Sequence, residues 1–212
     1  MSRVVVLISG NGSNLQALLS QQQLDQLGGE IVAVISNKAD AYGLTRAKAA
    51  GISSEVIANA DFANRAAFDH ALMAAIDRHQ PHLVVLAGFM RILTSDFVNH
   101  YQNRLLNIHP SLLPSYPGLD THAKAIANND ENHGCSVHFV TEEVDGGPVV
   151  LQARVPVFAD DTPDSLAERV QVQEHAIYPL VVRWFNEGRL VMQQGAAFLD
   201  GALLPKQGYA LE

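Results

Sequence analysis

The sequence predicts an α/β chain: a doubly wound, Rossmann-like and mostly parallel sheet, with a C-terminal part that continues the sheet and packs a long helix on it. Three observations point there. In the N-terminal half, short β-rich apolar runs alternate with helical patterns, the signature of βαβ units. Two of these runs, Val4-Val5-Val6-Leu7-Ile8 and Leu83-Val84-Val85-Leu86-Ala87, are apolar throughout, as strands covered on both faces should be. After Thr162-Pro163, Leu166, Val170, Ile177, Val181 and Trp184 recur at roughly helical spacing, which gives a helix one apolar face.

Taken in order, the strands of the first half are expected at 4–8, 31–35, 54–57, 83–87 and 104–108. Phe68, Leu72 and Ile76 follow Asp61 at helical spacing, so a helix capped by Asp61 should lie on the sheet. Beyond Ile108, Pro110, Pro114, Pro117 and Gly118 exclude a regular helix or interior strand and predict an ordered loop at the carboxyl edge of the sheet. Two further strands, 136–140 and 149–157, flank Asp145-Gly146-Gly147-Pro148, where glycine permits a tight turn. Thr162 is placed to cap the last helix, with Pro163 at its first position and Pro179 as a kink or break. The tail, 190–212, is weakly patterned. Without repeats or a linker, residues 1–212 read as one domain whose halves, 1–108 and 109–212, share one core.

The 212 residues, 48% of them hydrophobic, suit a globular chain. No apolar run is long enough to span a membrane, and the N-terminus lacks a signal-peptide layout; a cytoplasmic protein is expected. The single cysteine, Cys135, excludes an internal disulfide and a multi-thiolate metal site. A net charge of −8 with only 14 Lys and Arg argues against a nucleic-acid partner, which needs a basic face. A small anionic ligand stays compatible, because a local pocket can oppose the global sign.

The first strand runs into Ser9-Gly10-Asn11-Gly12-Ser13-Asn14-Leu15 as a helix pattern begins. Glycines let backbone approach a ligand, and free N–H groups at a helix start favour an anion. Leu15 occupies the place of the third glycine of a dinucleotide fingerprint, and the second strand ends in Ser36-Asn37 rather than in a ribose-binding acid. No Gly-Lys-Ser/Thr follows, so it is not a P-loop. A phosphate site and a plain turn both fit these residues.

In Leu106-Asn107-Ile108-His109-Pro110 two polar side chains stand two residues apart at the end of an apolar strand. Alternation sends both to one face, at the end of a strand, and doubly wound sheets bind ligands outside the carboxyl ends of their strands. An asparagine amide and a protonated imidazole can both donate to a developing oxyanion, and histidine can also carry protons. His-Glu-x-x-His and Gly-x-Ser-x-Gly are absent, which disfavours zinc-peptidase and serine-hydrolase chemistry. His133 and His138 straddle a strand start and read as structural.

The stretches Ile8 to Leu15, Ser36-Asn37-Lys38-Ala39, Leu86 to Leu93, Asn107-Ile108-His109-Pro110-Ser111-Leu112-Leu113-Pro114 and Asp145-Gly146-Gly147-Pro148 together resemble the folate-dependent phosphoribosylglycinamide formyltransferases of purine synthesis. The resemblance runs nearly the whole chain in order. It implies an enzyme that moves a formyl group from 10-formyltetrahydrofolate, as co-substrate, to the amine of glycinamide ribonucleotide, without a metal and as a monomer or homodimer. Gly12, Ser13 and Asn14 would cradle the phosphate, and Gln171 and Glu174 would hold the ribose and glycinamide parts. Met90, Arg91, Ile92 and Leu93, Asn107, and the loop Thr141, Glu142, Glu143, Val144 and Asp145 would bind folate, with Arg65 near its anionic tail. Leu86 and Val98 fit either that cleft or ordinary core. The resemblance also sets Asp145 beside His109, where its charge favours the imidazolium; Asn107, His109 and Asp145 are then the catalytic group. Competing readings are a formyltetrahydrofolate hydrolase or a methionyl-tRNA formyltransferase, each expected to carry a further domain. A nicotinamide-dependent dehydrogenase and a non-catalytic ligand-binding domain are the alternatives from other classes.

Overall fold

Seven strands form one sheet in this computed structural model, which describes residues 1–209; the end of the tail, 210–212, lies outside them. The first half runs β1 (Ser2–Ile8), α1 (Ser13–Gln23), β2 (Gly29–Ser36), α2 (Tyr42–Ala49), β3 (Ser53–Val56), α3 (Arg65–Asp77), β4 (Leu83–Leu86), α4 (Ser95–His100) and β5 (Leu105–His109). These strands pair in parallel. Then follow α5 (Thr121–Ala127), β6 (Asn132–Phe139), β7 (Val149–Pro156) and α6 (Pro163–Asn186). β6 lies antiparallel to β5, and β7 antiparallel to β6. The full order is β3-β2-β1-β4-β5-β6-β7, the expected doubly wound and mostly parallel sheet. The winding reverses between β1 and β4, so a crevice opens where their carboxyl ends diverge.

Alternation along β1 divides the core. Val4, Val6 and Ile8 pack with Leu15, Leu18, Val170 and Tyr178 of α1 and α6. Val5 and Leu7 face the opposite way, onto Phe68, Leu72 and Ile76 of α3 and Phe97 of α4. The first cluster takes residues from both halves of the chain, as far as Leu199.

Four local expectations change. Asn64, not Asp61, caps α3, accepting from the Ala67 N–H at 2.9 Å; Asp61 closes a short 3₁₀ turn, Asn59–Asp61, just upstream. β6 starts at Asn132 because its ladder with β7 begins at Asn132 and Pro156, although its polar start reads as loop. Thr162 and Ser165 form the expected box at the start of α6, but Pro179 does not end that helix. A proline removes only its own N–H bond, and Ile177, Tyr178, Val181 and Val182 are buried on either side of it. The tail is a small antiparallel sheet, β8 (Leu190–Gln193), β9 (Ala196–Leu199) and β10 (Ala202–Leu203). Its turns place Gln194-Gly195 and Asp200-Gly201 at positive φ, the hairpin signature of glycine in second place.

One bond ties α6 to the sheet edge that matters below. The buried Tyr178 hydroxyl lies 2.8 Å from the Leu86 carbonyl, at the end of β4, and 3.1 Å from that of Leu106 in the neighbouring β5. Tyr178→Phe takes this donor from two carbonyls in the core and should lower the unfolding free energy by about 1–3 kcal/mol. Urea unfolding reads this directly, and an unchanged midpoint would contradict it.

Candidate active site

At the carboxyl end of β5, Asn107 and His109 do share one face, and the antiparallel ladder sets His138 opposite Asn107 and Ser136 opposite His109. Asn107 Nδ2 lies 3.2 Å from His138 Nε2, while His138 Nδ1 is 2.9 Å from the carbonyl of Phe139. A carbonyl can only accept, so Nδ1 carries the hydrogen and Nε2 presents a lone pair to the Asn107 amide. Burial, which penalises the charged form, pushes the His138 imidazole down to about 4. His138 is therefore a neutral acceptor that orients Asn107. Ser136 accepts from the Leu113 N–H and donates to the Ser111 carbonyl, fixing the loop that follows His109.

Asp145 arrives from the turn between β6 and β7, at φ 52°. Its Oδ2 accepts from the Gly118 N–H at 2.9 Å and lies 3.4 Å from His109 Nδ1. The expected approach of Asp145 to His109 is thus present. Its Oδ1 is 3.6 Å from His138 Nε2, a contact with a neutral ring rather than an ion pair. His109 Nε2 is 2.8 Å from the Tyr116 carbonyl, so that nitrogen donates. On α6, burial pushes the Glu174 carboxyl up, against the smaller lowering effects of its Asn14 hydrogen bond and of His109.

The glycine-rich turn and α6 meet as well. Gln171 Nε2 donates to Ser13 Oγ at 3.0 Å, and Asn14 Nδ2 to Glu174 Oε2 at 2.8 Å. Gly12 has φ 75°, and a Cβ there would meet Gly43 Cα at 2.7 Å; the turn needs glycine for its shape whatever it binds. No side chain caps α1, and its first turn holds no acid. Its leading N–H groups are then available to an anion. Arg46 reaches this turn and is engaged with Asn11 and Gln16.

Two clefts flank the turn carrying Asp145. One, of about 130 Å³, is walled by Leu86, Val98, Asn107 and His138, by Arg91, Ile92 and Leu93 of the loop after β4, and by Thr141 to Asp145. Leu86 and Val98, left between cleft and core, do line it. Met90 and Arg65, by contrast, are not on its wall; Met90 is 68% exposed and Arg65 is exposed at the start of α3. The other cleft, about 470 Å³, lies between Leu113-Pro114, the far side of the turn and the small C-terminal sheet, and shares with the site only Thr141 and Asp145. Asn107 and His138 stand on the wall of the smaller cleft.

The family described as formyl transferase matches residues 2–182. The chain belongs to this formyltransferase family. Over 99% of both chains it is 60% identical to the phosphoribosylglycinamide formyltransferase of Escherichia coli strain K12, and over the full length of both it is 49% identical to that of Haemophilus influenzae. Among solved structures it is similar to the phosphoribosylglycinamide formyltransferase of Coxiella burnetii in complex with CHES, with a TM-score of 0.95 at 50% identity, covering 100% of this chain and 99% of that one.

Within this formyltransferase, His138 and the Tyr116 carbonyl are the groups against Asn107 and His109 that sequence reasoning did not place. The signal for His138 was its even spacing with Ser136 along one strand, once the register against β5 is known. With the His138 ring depressed to about 4 against an unfolded value near 6.5, the unfolded chain takes up a proton first as pH falls. The ring should stay neutral, with hydrogen on Nδ1, down to roughly pH 5, and stability should drop between about pH 6.5 and 4. Nitrogen NMR of the imidazole checks this, and a His138 midpoint near 6.5 would contradict it.

Proposed function

We propose that the chain transfers the formyl group of 10-formyltetrahydrofolate to the primary amine of glycinamide ribonucleotide by direct attack. The observation that carries this reading is the meeting of Asn107, His109, His138 and Asp145 between the cleft beside Leu93 and the turn at Ser13-Asn14. Family membership and the named relatives support the substrates. The ribonucleotide phosphate lies on the uncapped start of α1 at Gly12, Ser13 and Asn14, with Gln171 and Glu174 beside its ribose and glycinamide. The folate lies in the 130 Å³ cleft, against Arg91, Ile92 and Leu93 and under Thr141 to Val144, with Met90 and Arg65 further out.

The amine nitrogen attacks the formyl carbon and the carbonyl electron pair moves onto oxygen. One N–H of Asn107 is committed to His138, which turns the other toward that oxygen. The His109 Nε2–H now given to Tyr116 becomes a second donor when the formyl oxygen takes the place of that carbonyl. The Asp145 carboxylate, bound by the Gly118 N–H, balances the charge on the protonated ring. As the intermediate collapses, the bond from carbon to the folate nitrogen breaks. A proton leaves the attacking nitrogen and ends on the leaving one, through His109 or an ordered water.

The assay is loss of 10-formyltetrahydrofolate with and without glycinamide ribonucleotide. Loss only with the amine is expected; loss without it would identify a hydrolase, and no loss in either case a binding module. Asn107→Ala should lower kcat by roughly 10²–10³-fold, as for removal of one oxyanion donor, and Asp145→Asn by a similar factor. If either variant keeps wild-type kcat, the proposed roles fail. Glu174→Gln should act mainly on the KM for the ribonucleotide, because Glu174 faces Asn14 rather than the formyl carbon.

A further inference from the structure

The carboxyl ends of the four parallel strands β3, β2, β1 and β4 are joined by one line of hydrogen bonds that the functional reading leaves unused. The Met90 N–H donates to Ser9 Oγ at 2.8 Å, the Ser9 hydroxyl donates to Asn37 Oδ1 at 2.6 Å, and Asn37 Nδ2 donates to Asn59 Oδ1 at 3.1 Å. Every donor points the same way along the line, so each bond polarises the next. Ser9 is 5% and Asn37 4% exposed, where unpaired polar groups are costly. Asparagine is the residue type position 37 requires, because it must accept at one atom and donate at the other; an aspartate can only accept. That accounts for Ser36-Asn37 at the end of β2, where a dinucleotide fold carries an acid.

The loop on which this line ends, residues 87–94, has no helix or strand of its own. Two side chains hold its backbone. Ser9 grips Met90, and Asp69 of α3, 1% exposed, accepts from the Thr94 N–H at 2.7 Å. The Met90 and Ile92 side chains between them are 68% and 60% exposed. Ser9 is also the first residue of the glycine-rich turn. The two substrate loops therefore share one buried hydroxyl, and ordering either one restrains the other.

We propose that Ser9 and Asn37 are positioning residues that lock the loop at Met90 to the turn at Gly12-Ser13-Asn14, so that filling one substrate site raises the affinity of the other. This rests on the assignment of those two loops to folate and ribonucleotide. Coupling of this kind needs no displacement, since a ligand that orders the shared hydroxyl spares the second ligand part of that cost.

Tetrahydrofolate, the product, pairs with glycinamide ribonucleotide without reacting, so calorimetry can measure its dissociation constant with and without saturating ribonucleotide. Wild-type protein should bind it roughly fivefold more tightly in the presence of the ribonucleotide. Ser9→Ala and Asn37→Ala should bring that factor to about one, and should raise the KM for the formyl donor more than they lower kcat. Asp69→Asn, at the far end of the same loop, keeps an acceptor for Thr94 and should keep the wild-type factor. Where Ser9→Ala does not fold, Asn59→Ala at the less buried end of the line takes its place and should lower the factor part-way. A wild-type factor of one, a factor that persists in Ser9→Ala and Asn37→Ala, or equal loss in Asp69→Asn overturns the inference. Wild-type protein that turns over both substrates yet shows no coupling overturns this inference alone; one that binds neither overturns the functional reading with it.

Discussion

Antiparallel pairing of β5 with β6 is the constraint on which the site depends. A sheet of parallel strands brings only carboxyl ends to its upper edge, and each such end supplies one or two polar residues before the chain turns away. Reversing β6 sets the interior of another strand against that edge. Ser136 and His138 then stand opposite His109 and Asn107, and the turn leaving β6 delivers Asp145 to the same place. The group needs no metal-like cluster to hold it together, because backbone ladders fix three of its four members and the Gly118 N–H fixes the fourth.

α6 is the second support. Its buried stripe runs Leu166, Val170, Glu174, Ile177, Tyr178, Val181 and Val182, and a carboxylate amid those apolar positions is out of keeping with packing alone. Tyr178 fastens the helix to the end of β4 and to Leu106 beside it in β5. One turn earlier, Glu174 and Gln171 reach the start of α1. The helix so spans the distance between the glycine-rich turn and the end of β4.

Much of the fold was legible because it rests on local pattern. Continuous apolar runs marked β1 and β4, and Thr162-Pro163 marked the start of α6. Asn107 and His109 were legible for the same reason, since alternation within one strand requires no knowledge of neighbours. His138 was not, because its place depends on register with a strand met some thirty residues earlier, and register is a tertiary property. Asp145 reached His109 only through resemblance, as spacing alone carries no information on folded distance. The misplaced cap at Asp61 shows the local limit: Asn64 lies three residues on, is an equally good cap, and wins because it places the Ala67 N–H within reach. The tail was overlooked although Gln194-Gly195 and Asp200-Gly201 carry hairpin chemistry; its strands are only two to four residues long, too short for alternation to stand out.

The contact between Asn14 and Glu174 has a consequence for the protein without its substrates. Burial raises the Glu174 carboxyl, and Asn14 Oδ1 is buried with no hydrogen-bond partner among the described residues. Folding has taken most of the water from both groups. A ligand bearing an amine and hydroxyls brings the missing donors, so it meets partners that need little further desolvation. On the function proposed above, binding there completes a polar interior that folding leaves unfinished.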